Sequence, residues 1–589
     1  MEVPVQIKHE TVARTTASPG TNSPPSSPAP SLPLPPVSPV PDSDSSIYTT
    51  CESSEAQRLE RYSHMMDYVA ELCDRQHRLF VYMISFVNDR GRLIRFERAG
   101  ASMSVEFDYA LHPEIIGKFL YRLAQQDRAG RGYDPTVTPA SEADAKLFRR
   151  LHTRYVPDSA DANRAVLPSD PVERREFLIG KPMSASRALY GRGTKVYTAY
   201  DIATGKIVVI KDSWRPSSNK IRSEYDTYVL LNSAERPAGQ PLLIPTLLGG
   251  GDVIWNGVVQ DTPTSAGQDS DRLLTARTHV RLVLKEVCRP LEDFTNSLEL
   301  VVAVLCAIDA HSVAWLSARI LHRDVSTGNI LILDEDPEGP PNPQTAKSLL
   351  ANWDLARTQE ELENPACSHN ARSGTWPFIS ARLQHTGPEQ RHELADDLES
   401  FVHVLNYCAL RHLPNELSED GDHLVASFIA RVYDRVRCSS SDGLYRGSIE
   451  KLQLLVNNKP FVELRPREQQ PLQSLLDALS ELCYRHYHHI QFPLPQPPNP
   501  IVEKMSVHRG RFSHMHISDV VAAAKPEQHA IETVAVATTR SLPPPDPSKS
   551  PLNSHDAIAW AFLHTLEPPT SNHPAYGLGW PAADKLKRV

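Results

Sequence analysis

The stretch Leu321-His322-Arg323-Asp324-Val325-Ser326-Thr327-Gly328-Asn329-Ile330-Leu331-Ile332 constrains this chain more than any other. It places a carboxylate, Asp324, five residues before a carboxamide, Asn329. The apolar run Leu298–Trp315 precedes it; Asp309 and His311 interrupt that run, which is short for a membrane span and reads as a buried helix. The β-branched Ile330-Leu331-Ile332 that follows reads as a strand. Phosphoryl transfer needs a carboxylate near an attacking hydroxyl and an oxygen ligand for magnesium, and this spacing supplies both. Asp324 is therefore the candidate base, with Arg323 beside it, and Asn329 a candidate metal ligand.

The 589 residues allow three or four domains, but many of the 50 prolines sit in tracts that build no core. Residues 1–58, as in Ser23-Pro24-Pro25-Ser26-Ser27-Pro28, cannot bury enough apolar surface to offset their ordering entropy and are expected to be a disordered Pro/Ser-rich tail. Residues 491–589 are expected to be a second Pro-rich, mostly disordered tail. The Ser-Pro dipeptides are candidate sites for proline-directed kinases, and the proline runs candidate ligands for SH3 or WW domains; unstructured linker is the plainer reading of both. A net charge of −9 argues against nucleic acid as a partner. The eight cysteines form no CxxC pair, and Met1–Glu10 lacks an apolar stretch. A cytoplasmic or nuclear protein, neither secreted nor membrane-bound, is expected. His486-Tyr487-His488-His489 and His508 to His516 offer no four-ligand zinc spacing, and Lys585-Leu586-Lys587-Arg588 is a weak nuclear-import candidate against a solvated terminus.

Between the tails, residues 59–170 read as a small α+β region, with strands at Leu79–Val87, Arg92–Phe96 and Met103–Phe107 and a helix at Pro113–Gln126. Residues 171–288 are strand-rich, and residues 289–490 helix-rich, with helices at Leu298–Trp315, Asp396–Arg411 and Pro471–His489. In the strand-rich part, Val208-Val209-Ile210-Lys211 ends in a lysine suited to nucleotide phosphates. Glu224, thirteen residues on within a helical stretch, is its candidate partner. Tyr190-Gly191-Arg192-Gly193-Thr194-Lys195-Val196 precedes that strand; Gly191 and Gly193 would let backbone amides approach phosphate, although the pattern also suits a hairpin turn. After the central motif comes Ala351-Asn352-Trp353-Asp354-Leu355-Ala356-Arg357. Registered on Leu355-Ala356-Arg357, Asn352 stands where a metal-binding Asp belongs, and Asp354 two residues on is the alternative metal ligand.

These segments resemble the fungal-type protein kinase family and, more distantly, the casein kinases. Ala395-Asp396-Asp397-Leu398-Glu399-Ser400-Phe401-Val402-His403-Val404 and Arg289-Pro290-Leu291-Glu292-Asp293-Phe294 are similar to casein kinase segments. Lys211-Asp212-Ser213-Trp214, Ser326 and Ser373-Gly374-Thr375-Trp376-Pro377-Phe378-Ile379-Ser380 are similar to the fungal type, as are Arg95–Gly100 and Arg131–Asp134. The resemblance implies an α+β bilobal protein-kinase-like fold, with residues 59–170 as an N-terminal extension, 171–288 the β-rich small lobe and 289–490 the α-rich large lobe. It implies ATP and Mg2+ in the cleft, contacted by Gly191, Gly193, Val196, Lys211, Glu224, Glu286 and Val287. It also implies a hinge at Lys285–Cys288, a brace on the catalytic loop from Asp397, and a peptide platform at Gly374-Thr375. Ser326 in place of lysine, Asn352 in place of aspartate, and the absence of Ala-Pro-Glu depart from the common pattern.

Two functions follow. One is an ATP-dependent serine/threonine kinase resting on Lys211, Asp324 and Asn329. The other is a pseudokinase, a nucleotide-binding or scaffold module, because an amide at Asn352 removes a charge from the metal site. A small-molecule phosphotransferase fits less well, since such proteins usually lack both His322-Arg323-Asp324 and a Gly374-Thr375 platform. The protein substrate is not legible.

Overall fold

The structure, a computed structural model, describes residues 5–8, 55–150, 163–166, 175–218, 221–236, 241–263, 276–334, 347–364, 373–387, 389–438, 442–466, 471–492, 549–566, 580 and 584–586. The proline tracts at 23–28, 493–500 and 541–545, most of the polar stretch 262–272, and the histidines at 508–516 lie outside these residues. The described chain divides into two compact units, one of residues 1–137, 185–193 and 261–277, the other of 138–184, 194–260 and 278–589.

In the first unit, β2 (Phe80–Val87) and β3 (Arg90–Glu97) form a hairpin turned by Asn88 and Asp89, with Asn88 at φ +56°. β4 (Gly100–Met103) and β5 (Phe107–Asp108) both pair with β3, so the expected strand at 103–107 divides in two. Helix α1 (Glu55–Arg75) buries Met65, Val69 and Cys73, one turn apart, against Val81, Met83, Ile94, Phe96 and Leu189. Helix α2 (Pro113–Ala124) starts with proline at its first turn, where the missing N–H costs nothing. β1 (Val5–Lys8) adds in parallel to β2, Val5 opposite Ile84. That corrects the expectation of a tail throughout 1–58: Val5-Gln6-Ile7 alternates as a strand does, over too few residues to stand out among prolines.

The second unit opens with a sheet whose longer strands run in the order β10-β11-β9-β8-β7-β6: β6 (Asn163–Val166), β7 (Glu176–Ile179), β8 (Lys195–Asp201), β9 (Lys206–Pro216), β10 (Leu247–Asp252) and β11 (Arg277–Leu284). Helix α3 (Glu224–Ser233) is capped by the Ser223 side chain, which accepts from Asp226 N, and buries Glu224, Thr227, Tyr228 and Leu231 along one face. The pairing of β6 with β7, Asn163 opposite Ile179, and the grouping of 185–193 with the first unit correct the boundary expected at 170. Backbone pairing, not sequence proximity, decides where a segment belongs.

The helix-rich part is built on α4 (Ser297–Ala318), which is apolar all round and therefore buried. By length and composition it could cross a bilayer, yet 72% of its most apolar window lies inside the fold. Asn296 caps its start by accepting from Glu299 N at 3.0 Å. β12 (Ile330–Leu333) and β13 (Lys347–Leu350) pair beside it, while α5 (Leu394–His412), α6 (Ile449–Val456) and α7 (Pro471–His489) complete one continuous core. The C-terminal residues join that core. Helix α8 (Asp556–Leu566) buries Ala557, Ile558, Ala561, Phe562 and Thr565, so the expected tail at 491–589 holds a docked helix. Its apolar residues recur at helical spacing, but it is short and lies among prolines. Lys585 donates to Glu292 O and stands 4.5 Å over the Phe294 ring, so this lysine of the terminal basic run is part of the fold. Replacing the fully buried Phe562 with Ala is expected to cost about 3–5 kcal/mol in urea unfolding; a change under about 1 kcal/mol would mean that α8 does not dock.

Candidate active site

Lys211 sits on β9, opposite Val196 of β8 in the antiparallel register. Strand alternation sends Lys211 to one face and Asp212 and Trp214 to the other. Asp212 accepts from His279 Nε2 at 2.5 Å and from Arg281 Nε and Nη2 at 2.9 and 2.7 Å; Trp214 stacks on His279, centroids 4.6 Å apart. Burial would raise the Asp212 pKa, but His279 and Arg281 outweigh it and hold the carboxyl far below the usual range. The segment Lys211-Asp212-Ser213-Trp214 thus has a structural role: it pins β9 to β11 and fixes where Lys211 begins.

On its own face Lys211 Nζ donates to Glu224 Oε2 at 2.6 Å, an ion pair buried at both ends. Burial pushes the Glu224 carboxyl up against the pull of the Lys211 ammonium, and Asp354 nearby pushes it the same way. Glu224 Oε1 also accepts from Trp353 N at 3.1 Å, so one carboxylate ties α3 to both the lysine and the segment after β13.

The central loop hangs from Asp397 on α5. Asp397 Oδ2 accepts from His322 N at 2.9 Å, and both its oxygens accept from Arg323 N at 3.1 Å. Arg323 takes φ +66°, a left-handed turn that this anchorage must hold against the strain of a side chain. Asp324 N donates to His322 Nδ1 at 3.2 Å while His322 Nε2 donates to Ala351 O at 2.9 Å, as a neutral imidazole does; burial lowers its pKa. Asp324 Oδ1 accepts from both N and Oγ1 of Thr375 at 2.7 Å. Gly374 is obligatory here: φ is +125° and a Cβ would lie 2.8 Å from Arg323 O.

A chain of amides joins the lysine to this loop. Lys211 Nζ donates to Asn352 Oδ1, Asn352 Nδ2 donates to Asn329 Oδ1 at 3.0 Å, and Asn329 Nδ2 donates to Asp324 O at 2.6 Å. Asn352 adopts the left-handed conformation, φ +69°. Of the two candidate metal ligands, Asn352 joins Lys211 and Asn329, while Asp354 lies near Glu224 and pushes its carboxyl up. Trp353, fully buried, donates from Nε1 to Leu350 O at 2.8 Å and meets His322 edge-on.

The missing Ala-Pro-Glu has a replacement that sequence reasoning did not find. Lys451 Nζ donates to Pro377 O and Ile379 O at 2.8 and 2.7 Å. Glu399 accepts from Ala381 N, His403 Nε2 and Tyr487 OH, and Arg382 pairs with Asp396. The turn after Thr375 is therefore held by α5, α6 and α7. Of the histidine run, His486 bonds Ser550 and Tyr487 bonds Glu399 and Arg382 N, which are structural duties. The available signal was Glu399 and His403, one helical turn apart among the apolar residues Leu398, Phe401, Val402 and Val404.

Glu286 spends its side chain on Thr246, accepting from N and Oγ1 at 2.7 Å, and Val287 packs against the core; any adenine contact there falls to the backbone. Gly191 and Gly193 belong to the first unit, at φ +91° and +48°. Gly191 N donates to Arg98 O at 2.9 Å, and a Cβ on Gly193 would lie 2.3 Å from the Arg98 guanidinium carbon.

A buried lysine–glutamate pair above a braced His-Arg-Asp loop, with a carboxamide five residues on, defines a protein kinase. The fungal protein kinase family matches residues 45–237 and 233–409, more than half of the chain, and the chain belongs to that family. No curated protein matches. Among solved structures, the chain is similar to the "ROP18 kinase domain in complex with AMP-PNP and sucrose", at 13% identity over 59% of this chain and 90% of that one, with a TM-score of 0.30.

The Glu399 cluster makes stability depend on pH. Burial, with Lys451 nearby, lowers His403 from its ordinary 6.5 to about 4; burial opposes ionisation of Glu399 too, but His403 and Ala381 N take it from 4.5 to about 2. Both groups bind protons more readily in the unfolded chain, so stability falls as pH drops, first from 6.5 to 4 through His403 and then from 4.5 to 2 through Glu399. His403→Phe is expected to flatten the urea-midpoint profile between pH 6.5 and 4 relative to the parent; a parallel profile would refute the assignment.

Proposed function

We propose that this chain is an ATP-dependent serine/threonine kinase in which Asp324 orients and deprotonates the substrate hydroxyl. One observation carries this reading: Asp324, its carboxylate fixed by Thr375, presents its backbone carbonyl to one end of a hydrogen-bonded line that runs through Asn329 and Asn352 to Lys211. Phosphoryl transfer asks the protein for position and charge more than for covalent chemistry. Lys211, kept in place by Glu224, is the cation for the nucleotide phosphates. The Gly374-Thr375 turn, bonded to the base, is the platform on which an acceptor residue lies. Arg323, buried and lowered to about 10 chiefly by burial, remains cationic at neutral pH and donates to Leu355 O, tying the loop to the activation segment.

The donor set fits a magnesium ion carried in on the phosphates. Asn329 and Asn352 would hold it through neutral amide oxygens, each of which already accepts a hydrogen bond. Such an ion supplies charge neutralisation for the transferring phosphate.

The pseudokinase reading has its own observation: no carboxylate stands in the Lys211–Asn352–Asn329 line, where a full negative charge would attract the metal. A radiolabelled-ATP assay on the full chain separates the readings. Asp324→Ala is expected to lower transfer by at least about a hundredfold. Asn352→Asp should raise both rate and magnesium affinity. An unchanged rate in Asp324→Ala refutes the base; nucleotide binding without any transfer by the parent chain establishes the pseudokinase.

A further inference from the structure

The brace beneath the catalytic loop continues past Asp397. His311 of α4, fully buried, lies with Nε2 2.9 Å from Asp397 Oδ2 and Nδ1 2.7 Å from His555 Nε2. His555 immediately precedes α8, far along the chain, and is itself buried. A line of side chains therefore runs His555–His311–Asp397 and ends on the backbone amides of His322 and Arg323, next to the proposed base. The segment carrying His555 is anchored independently: Ser550 Oγ lies 2.7 Å from His486 Nδ1, and Leu552, Ile558 and Phe562 are fully buried.

We propose that His555 is a positioning residue for phosphoryl transfer: by satisfying His311 Nδ1 it keeps the His311 ring turned toward Asp397, and so keeps Asp397 turned toward the catalytic loop. The donors settle the direction of the line. Asp397 is held well below the usual carboxylate range, because His392 and His311 outweigh the effect of burial, and it can only accept. His311 Nε2 must then donate to it, which leaves Nδ1 facing His555 in either charge state. His392, donating to Asp397 Oδ1 at 2.8 Å, is the other side chain on this carboxylate. Without His555, a buried imidazole nitrogen loses its partner and the ring has reason to turn away, since an unsatisfied buried polar atom is expensive. Asp397 then loses one of the contacts that aim it, while Arg323 still has a left-handed turn to be held.

This inference rests on Asp324 as the base for its kinetic part only. The test uses the full chain with His555→Phe, which keeps volume and loses the hydrogen bond, and His555→Gln, which restores a polar end at that distance. Three quantities are read: amide exchange of the peptide covering His322 and Arg323, kcat, and KM for ATP. His555→Phe is expected to speed that exchange and lower kcat, each by roughly tenfold, with KM within about twofold, and His555→Gln to recover most of both. Wild-type exchange and kcat in His555→Phe would overturn the proposal. So would faster exchange spread equally over α4, α5 and α7 without rescue by glutamine, the mark of lost stability alone. If the parent chain transfers no phosphate, the kinase reading fails by itself, and the exchange measurement still decides the relay.

Discussion

One buried carboxylate, Asp397, organises the catalytic half of this molecule. It takes two consecutive backbone N–H groups from His322 and Arg323 and two imidazoles, and none of these could be left unsatisfied at such depth. With the loop fixed at its base, Asp324 leaves it in a defined direction, and Thr375 fixes the carboxylate from the other side. The strain at Arg323 is tolerable only because the anchorage is overdetermined. Remove the carboxylate, and the residues that define the chemistry keep their identities but lose their bearings.

Much of this was legible in the chain because it lies in short contiguous runs with regular periods. Lys206–Lys211, Leu298–Trp315 and Pro471–His489 announce strand or helix through apolar spacing, and they form close to where that spacing puts them. The lysine–glutamate pair follows from the same logic, since Glu224 lies on the buried face of its helix with Tyr228 and Leu231. What stayed hidden depends on distant partners. Nothing local marks Lys451 as the holder of Pro377 and Ile379, or Ser550 as the partner of His486, because each is an ordinary polar residue until the fold delivers its counterpart. The boundary between the units was missed for a related reason: Asn163–Val166 acquires its place from the pairing with Glu176–Ile179, which no periodicity declares.

The departures from the common kinase pattern fall into two kinds. The missing Ala-Pro-Glu is compensated elsewhere, by Lys451, Glu399 and the Arg382–Asp396 pair, so the turn after Thr375 has a fixed conformation by other means. The aspartate missing at position 352 is not compensated in that way. The line that links Lys211 to the loop runs through the neutral Asn352 and Asn329. Reduced charge at this position is a property of the folded molecule.

The left-handed backbone at residue 352 narrows what evolution can do there. A branched or bulky side chain would strain that geometry, glycine would surrender the link to Lys211, and the side chains that enter it with least penalty while still reaching a cation are asparagine and aspartate. These two differ by little more than one unit of charge. The shape of the main chain thus reduces this position to a two-setting electrical choice, decided by a single atom, nitrogen or oxygen, on one short side chain.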